Sequence, residues 1–345
     1  MKKWMLSVLA VLLLLLTACG NGDNEKVVNV YNFGEYIDKE LLAEFEKQTG
    51  IQVKYDMYVT NEDLYVKMQQ GGGSYDLIVP SEYMIERMIK EDMLATLDFD
   101  NIPNIKNIDP ALMGMSYDPD GKYAIPYFWG TMGILYNPEV VQAPVDSWDA
   151  LWDPQYENQI LMLDSSRQSI GIALLKLGYS INSTSETELE EAKQLLIQQR
   201  PLVYAYQVDQ IKEMMATGEA ALAATYSGDA FYAVRENPGL KYVIPKEGTN
   251  LWFDSMVIPK DAVNKENAEA FINFLLDAEV AAQNAEYVAY STPNVEAKKY
   301  IVSDMKDSEI VFPDLSKIEN IQIFNDPGEM IVVYDRIWTD VISGE

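Results

Sequence analysis

Short apolar segments alternate with amphipathic segments along this chain, and this alternation restricts the possible folds more than any other feature. In the first part, each apolar run typical of a buried strand is followed by helical spacing of apolar residues. These predicted strand and helix pairs are 27–33 with 38–49, 51–59 with 61–70, and 75–80 with 82–90. Strands that alternate with helices form βαβ units around a parallel sheet. The first part is therefore predicted to be an α/β unit.

The alternation begins again after a loop-rich stretch containing Pro103, Pro110 and Pro119. Strands are predicted at 160–163, 202–208, 221–226 and 241–245, and helices at 167–177, 188–199, 265–287 and 329–342, with two more beginning at Asp209 and Asp229. Extended runs at 127–136 and 251–259 are predicted to cross between the two parts. The expected fold is thus α/β, with two Rossmann-like lobes, two crossover segments and a hinged cleft that holds the ligand.

The length of 345 residues is too great for one ordinary domain and suits two,. Because the chain crosses over and returns, each lobe is expected to combine two segments. The first lobe is predicted to comprise 27–128 and 255–298, and the second lobe 129–254 and 299–345.

The N-terminus resembles the signal of a bacterial lipoprotein. Lys2 and Lys3 precede an apolar run at 6–16, which as a helix would span roughly half of a bilayer core,. The sequence LTAC then ends at Cys19, the only cysteine of the chain. In the lipobox that this resembles, the cysteine is diacylated and becomes the first residue. We expect a signal peptide at 1–18 and a lipidated tether at 19–26, with the folded part outside the cytoplasmic membrane; the alternative is an uncleaved anchor.

Composition excludes several classes of function. The chain has 26 basic and 54 acidic residues, a net charge of −28. This charge disfavours binding to nucleic acid and binding to anionic lipid through a basic patch. It has no histidine and one cysteine, so catalytic triads and the common zinc sites lack their residues,. No enzyme activity, cofactor or metal is expected, although metal sites made only of carboxylates remain open.

Aromatic residues lie close to carboxylates where several predicted strands end, at the edge where α/β sheets bind ligands. Ammonium groups are attracted to aromatic faces and form strong hydrogen bonds with carboxylates, so this pairing suits an aliphatic polyamine. Taken singly, each pair is as well explained by core packing or by a helix cap, such as Ser165 or Asp229. The candidate residues are Phe33, Glu35, Tyr36, Tyr83, Ser165, Gln168, Tyr226, Asp229, Trp252, Asp254 and Tyr290.

Seven short stretches, taken in order, resemble one family over nearly all of the chain after the signal. They are YNFGEY at 31–36, YDLIVPS at 75–81, AIPY at 124–127, KLGYS at 176–180, WFDS at 252–255, INFLL at 272–276 and TPN at 292–294. They are similar to the spermidine/putrescine-binding proteins of bacterial ABC transporters. The resemblance implies a type II periplasmic-binding-protein fold.

The same resemblance implies a role for each candidate residue. Trp252 and Asp254 match a stacking indole and the carboxylate that takes an ammonium, whereas Phe33 and Tyr226 stand where the family usually has Trp. Asp229 matches an acid of the putrescine-specific branch. The remaining matches are an acidic contact at Glu35 and aromatic contacts at Tyr36, Tyr83 and Tyr290.

Some positions depart from the family pattern. Ser165 and Gln168 stand where spermidine binders commonly carry Asp and Glu, Gly34 replaces a Thr or Ser, and Phe324 lies near a position that is Gln. With two carboxylates missing, the third ammonium of spermidine loses its counter-charge. Putrescine is therefore expected to bind at least as well as spermidine.

The resemblance implies a lipid-anchored, extracytoplasmic and monomeric receptor that captures polyamines and delivers them to an ABC permease. The alternative is a binding lipoprotein of the same fold for another cationic small molecule, such as a basic amino acid. Such a ligand would need an arginine for its carboxylate, and Arg167 is the arginine beside the cleft motif that could serve.

Overall fold

The structure is a computed structural model that describes residues 26–71 and 75–344. The predicted signal peptide, Cys19 and most of the predicted tether therefore lie outside the described residues. Strands and helices alternate through the first part. In chain order they are β1 (Val27–Phe33), α1 (Lys39–Thr49), β2 (Gln52–Tyr58), α2 (Asn61–Gln69), β3 (Leu77–Ile78), α3 (Glu82–Lys90) and β4 (Leu94–Ala95).

The rest of the chain contains two long strands and a second series of shorter elements. The first long strand and the elements after it are β5 (Ala124–Tyr136), β6 (Ile160–Leu163), α4 (Ser166–Lys176), α5 (Glu186–Gln199), β7 (Val203–Gln207), α6 (Ile211–Thr217), β8 (Leu222–Tyr226), α7 (Ser227–Glu236) and β9 (Lys241–Val243). The second long strand and the elements after it are β10 (Thr249–Pro259), α8 (Lys265–Leu275), α9 (Ala278–Val288), β11 (Ile321–Gln322) and α10 (Ile331–Ser343).

The strands follow the order β2-β1-β3-β10-β5-β8-β6-β7. At one end β1 pairs in parallel with β2 and β3, and at the other β6 pairs in parallel with β7 and β8. Between these two groups, β10 and β5 pair antiparallel, from Val257 opposite Ala124 to Leu251 opposite Thr131. The two predicted crossovers are thus neighbouring strands of one ladder that joins the two lobes, and the predicted fold class is confirmed.

Capping residues explain where several helices begin and end. Asp38 accepts a hydrogen bond from the Glu40 amide at the start of α1, and Gly50 ends this helix with a φ of 71°. This left-handed conformation favours glycine, which has no Cβ. Ser165 accepts a hydrogen bond from the Gln168 amide at the start of α4, which confirms its predicted capping role,.

Each lobe has its own apolar core. Val28, Val30 and Phe45 belong to the core on one face of β1, and Ile78 and Phe253 belong to the core on the other face. In the second lobe, one core packs around β6 and β8, and a second core joins α4, α5 and α10. Burial of these side chains supplies the main driving force for folding.

One segment packs differently from the sequence-based division of lobes. Ile301, Met305 and Val311 are buried in the same core as Val28, although the chain from 299 onward was assigned to the second lobe. The apolar spacing of this segment is too irregular to show which core it enters. Its side chains bury their apolar surface against the first lobe because the chain passes there before it reaches α10.

Two helix predictions are wrong in detail. The helix predicted over 265–287 is broken, because Asp277 accepts hydrogen bonds from the amides of Glu279 and Val280 and starts α9. The helix predicted to begin at Asp229 begins two residues earlier, so Asp229 lies in the first turn of α7 and is not its cap. The acidic side chain remains favourable there, because the first turn has unpaired amides.

Candidate functional site

Asp254 is the buried carboxylate at the junction of the two lobes. It lies beside a register shift between β10 and β5, where the ladder resumes one residue further on. One carboxylate oxygen accepts a hydrogen bond from the Tyr36 hydroxyl at 2.5 Å, and the other accepts one from the Ser81 hydroxyl at 2.5 Å. Only 7% of the residue is exposed. Burial raises the pKa of Asp254 to about 6, against the opposing effect of the two hydrogen bonds,.

Aromatic rings form a continuous wall around this carboxylate. The ring centroids of Trp252 and Tyr290 are 5.0 Å apart, and those of Tyr290 and Tyr36 are 5.8 Å apart. Tyr226 extends the wall at the Trp252 end and Phe33 at the Tyr36 end, at 5.8 Å and 5.7 Å. All four pairs meet edge to face, an arrangement that aromatic rings prefer,. The structure therefore brings together the aromatic candidates of both lobes.

Two glycines make room for the wall. A Cβ on Gly228 would lie 1.9 Å from the Tyr290 ring, and a Cβ on Gly130 would lie 2.5 Å from the Trp252 ring. Both distances are far below a van der Waals contact. The rings of Tyr290 and Trp252 thus rest directly on backbone, which fixes the position of the wall.

Asp229 is a second buried carboxylate, on α7 of the second lobe. Burial raises its pKa to about 7, whereas the ammonium of Lys212 opposes this rise and the carboxylate of Asp209 adds to it. Ionising a buried acid costs free energy. A cation beside the carboxylate lowers that cost, so the site favours a cationic partner.

Glu82 is a buried carboxyl that the sequence analysis did not select. It is the first residue of α3 and accepts a hydrogen bond at 3.0 Å from the backbone amide of Phe253, the residue before Asp254. Burial raises the pKa of Glu82 to about 8, and this hydrogen bond opposes the rise. The sequence feature that could have identified Glu82 is its position in the stretch after β3 that also contains Tyr83.

Tyr83, Ser165 and Gln168 lie toward the other end of the cleft. The Tyr83 hydroxyl donates a hydrogen bond to Glu62 at 3.1 Å. Ser165 caps α4, and Gln168 is close enough to Tyr226 for a hydrogen bond that opposes the burial-induced rise of the Tyr226 pKa. Gln168 therefore borders the wall at Tyr226, whereas Tyr83 contacts Glu62 and Ser165 contacts the start of α4.

Arg167 is buried at this same end. Its guanidinium lies 4.4 Å from the ring centroid of Phe324, 4.6 Å from that of Tyr334 and 5.8 Å from that of Tyr83. It donates to Asn182 and to a backbone carbonyl, at 3.2 Å and 3.3 Å. The arginine is thus enclosed by rings that span the two lobes.

Glu35 lies at the rim of the cleft and not inside it. Its backbone has a φ of 51°, in the turn that follows β1, and its side chain is largely exposed. One carboxylate oxygen lies 3.5 Å from the ammonium of Lys212, a residue of α6 that the sequence analysis also did not select. Of the three expected acids, Asp254 and Asp229 are buried, and Glu35 already has a basic partner.

Within residues 26–71 and 75–344, no group of three or more potential metal-ligating side chains is close enough to hold an ion. In the same ranges, no helix combines the length and apolar character needed to cross a membrane.

Two α/β lobes on a shared pair of long strands, with carboxylates and rings buried between them, define the class of two-lobed binding proteins with a ligand cleft. Residues 40–312 match the family described as bacterial extracellular solute-binding protein, and the chain belongs to this family.

Known proteins similar to this chain cover it almost completely. The spermidine/putrescine-binding periplasmic protein of Salmonella typhimurium is 37% identical over 348 residues, with 100% of both chains covered. A Listeria monocytogenes structure named for a spermidine/putrescine ABC transporter is 43% identical, with a TM-score of 0.89 and 93% and 100% of the two chains covered. A spermidine/putrescine ABC transporter substrate-binding protein of Streptococcus pneumoniae is 42% identical, with a TM-score of 0.78 and 92% and 99% coverage. The predicted family is confirmed.

Proposed function

We propose that this protein captures polyamines, putrescine or spermidine, in the cleft and delivers them to an ABC permease. The observation that carries the proposal is the carboxylate of Asp254, buried within a wall of aromatic rings. A buried carboxylate is stabilised by a paired cation, and aromatic faces add cation–π attraction for an ammonium. The methylene chain of a polyamine packs against the same rings.

The hydrogen bonding of Asp254 favours a cationic ligand over a neutral one. Among the described residues, the hydroxyls of Tyr36 and Ser81 donate hydrogen bonds to its carboxylate, and neither carries a positive charge. Burial raises the pKa of Asp254, and the two hydrogen bonds oppose the rise without reversing it. An ammonium beside the carboxylate would supply that charge, together with up to three N–H donors.

The similar proteins support the choice of polyamines among cationic ligands. Those reported above are named for spermidine and putrescine, and each aligns with nearly the whole chain. A family of solute-binding proteins supplies no catalytic role, so we propose a receptor and not an enzyme. Its partners are the amine and the subunits of the permease.

We propose that putrescine binds at least as well as spermidine. Ser165 and Gln168 are neutral side chains at one end of the cleft, and the guanidinium of Arg167 lies beside them. A third ammonium placed at this end would face the guanidinium of Arg167 and two neutral side chains, and the Glu62 carboxylate there already accepts a hydrogen bond from Tyr83,. Among the candidate residues, the buried acids are Asp229 and Asp254, and Glu82 is a further buried carboxyl beside Phe253.

The ligand-contacting residues are proposed to be Phe33, Glu35, Tyr36, Tyr83, Ser165, Gln168, Tyr226, Asp229, Trp252, Asp254 and Tyr290. We further propose a lipid anchor at Cys19, which tethers a monomer to the outer face of the cytoplasmic membrane. We also propose the division of lobes given above, with 299–312 moved to the first lobe, which the burial of Met305 in the core of that lobe supports.

A thermal-shift panel tests the proposed function. The protein without its signal and lipid is heated with putrescine, spermidine, spermine, cadaverine, lysine or arginine, and with N-acetylputrescine as a matched ligand that has lost one charge. At about 100 times its Kd, a ligand adds ~2.7 kcal/mol to the free energy of unfolding. Stabilisation by putrescine or spermidine and not by the acetylated amine is expected. Stabilisation by lysine or arginine alone would overturn the proposal in favour of a basic amino acid.

A further inference from the structure

Lys212 places a positive charge of the protein itself at the rim of the acidic cleft. It lies on α6 in the second lobe, and its ammonium is 3.5 Å from a carboxylate oxygen of Glu35 in the first lobe. The lysine side chain is only 18% exposed, compared with 76% for the glutamate side chain. A lysine usually keeps its ammonium in water, so this degree of burial sets Lys212 apart from an ordinary surface lysine.

The surroundings of Lys212 are those expected for a ligand amine. Its ammonium is 5.4 Å from the ring centroid of Tyr232. The carboxylates of Asp229, Glu213, Glu35 and Asp209 raise its pKa and outweigh the lowering effect of burial. An aromatic face and several carboxylates thus hold this ammonium in its charged form.

We propose that Lys212 is a specificity-determining residue. Its ammonium pairs with the carboxylates at its end of the cleft and repels an additional ammonium of a longer polyamine. The inference rests on the proposed function and adds a reason for selectivity among amines. A ligand with two ammonium groups can keep both away from Lys212. A ligand with three must bring one toward a fixed like charge, either here or at Arg167.

A different role, as a latch that holds the lobes together, is less well supported. The Glu35 side chain is mostly exposed, and an ion pair with an exposed partner contributes little to stability,. The effect of Lys212 on a charged ligand is larger, because its ammonium interacts with the buried carboxylate of Asp229. The two roles also predict opposite effects on ligand affinity. A latch strengthens the binding of every amine, whereas a competing charge weakens it.

The test compares Lys212→Met with the unmodified protein in calorimetric titrations with putrescine and with spermidine. Methionine keeps an unbranched apolar side chain and removes the charge. The affinity for spermidine is expected to rise about fivefold or more relative to that for putrescine, since one further ligand charge escapes repulsion. Lys212→Arg, which keeps the charge, is expected to retain the original preference.

Lys246→Met is the matched control. Lys246 forms an ion pair with Asp146 at 3.4 Å, but both side chains are largely exposed. The control changes the net charge equally, so it reports the general effect of charge on affinity. Its ratio of spermidine to putrescine affinity is expected to stay at the unmodified value. Lys212→Gln repeats the measurement if Lys212→Met does not fold.

The outcomes separate this inference from the proposed function. If the unmodified protein binds neither amine, the proposed function is wrong, and this inference falls with it. If it binds putrescine but Lys212→Met leaves the ratio unchanged, or weakens both amines, only the inference is overturned. A ratio that moves toward spermidine in Lys212→Met and not in Lys246→Met supports it.

Discussion

Replacing Asp254 by asparagine should strengthen the fold and abolish tight binding at the same time. Burial raises the pKa of Asp254 from 3.8 to about 6 in the protein without ligand. The folded protein thus holds a proton on this group at pH values where the unfolded chain has lost it. The contribution of this group to the free energy of unfolding therefore falls as the pH rises through this interval.

At higher pH the ionised carboxylate costs on the order of 3 kcal/mol of stability, and asparagine avoids that cost. The change is nearly isosteric, and the hydroxyls of Tyr36 and Ser81 can rotate to accept or donate a hydrogen bond,. We expect Asp254→Asn without ligand to be more stable than the unmodified protein at about pH 8, and the difference to disappear at about pH 4. Urea denaturation at both pH values measures this.

The same substitution should weaken putrescine binding strongly. An ammonium left buried without its counter-charge costs about 2–5 kcal/mol, or roughly 30-fold to several thousand-fold in Kd. Titration calorimetry measures the loss, with Asp146→Asn as a control that removes an exposed charge. The reasoning fails if Asp254→Asn binds putrescine normally, or if it is less stable than the unmodified protein at the higher pH.

Three further predictions follow from the cleft. Putrescine affinity should fall as the pH drops below about 6, because the buried Asp254 must ionise to pair with the amine,; calorimetry in buffers of different ionisation enthalpy should show proton release, and a pH-independent Kd would contradict this. Gly228→Ala should displace the Tyr290 ring and weaken binding by about tenfold, whereas Gly34→Ala, whose Cβ meets no atom within 4 Å, should have little effect; equal effects in parallel titrations would refute the role of that ring. Ser165→Asp combined with Gln168→Glu should shift preference toward spermidine by at least ~10-fold, and an unchanged ratio of the two Kd values would count against this source of selectivity.

The sequence was sufficient for the features that depend on local order. Trp252 and Asp254 could be selected because an extended apolar run predicts a crossover between the lobes there, and ligand sites form in the cleft between lobes. The capping role of Ser165 and the end of α1 at Gly50 were likewise predictable, since each depends on a residue type at a helix end,.

Features that depend on contacts distant in sequence could not be predicted. Glu82 and Lys212 looked like ordinary charged helix residues, and their contacts with Phe253 and Glu35 join residues more than 170 positions apart in the sequence. The division of 265–287 into two helices depends on Asp277, whose capping role competes with a continuous apolar pattern,. The register shift beside Asp254 depends on the pairing of β10 with β5, more than a hundred residues away along the chain.

A crystal structure of the protein with putrescine tests the central claim most directly. The account predicts one ammonium nitrogen within ~3 Å of a carboxylate oxygen of Asp254, and the methylene chain against the rings of Trp252, Tyr290 and Tyr36. Putrescine bound elsewhere, or an ammonium that pairs with no buried carboxylate of the cleft, would contradict it.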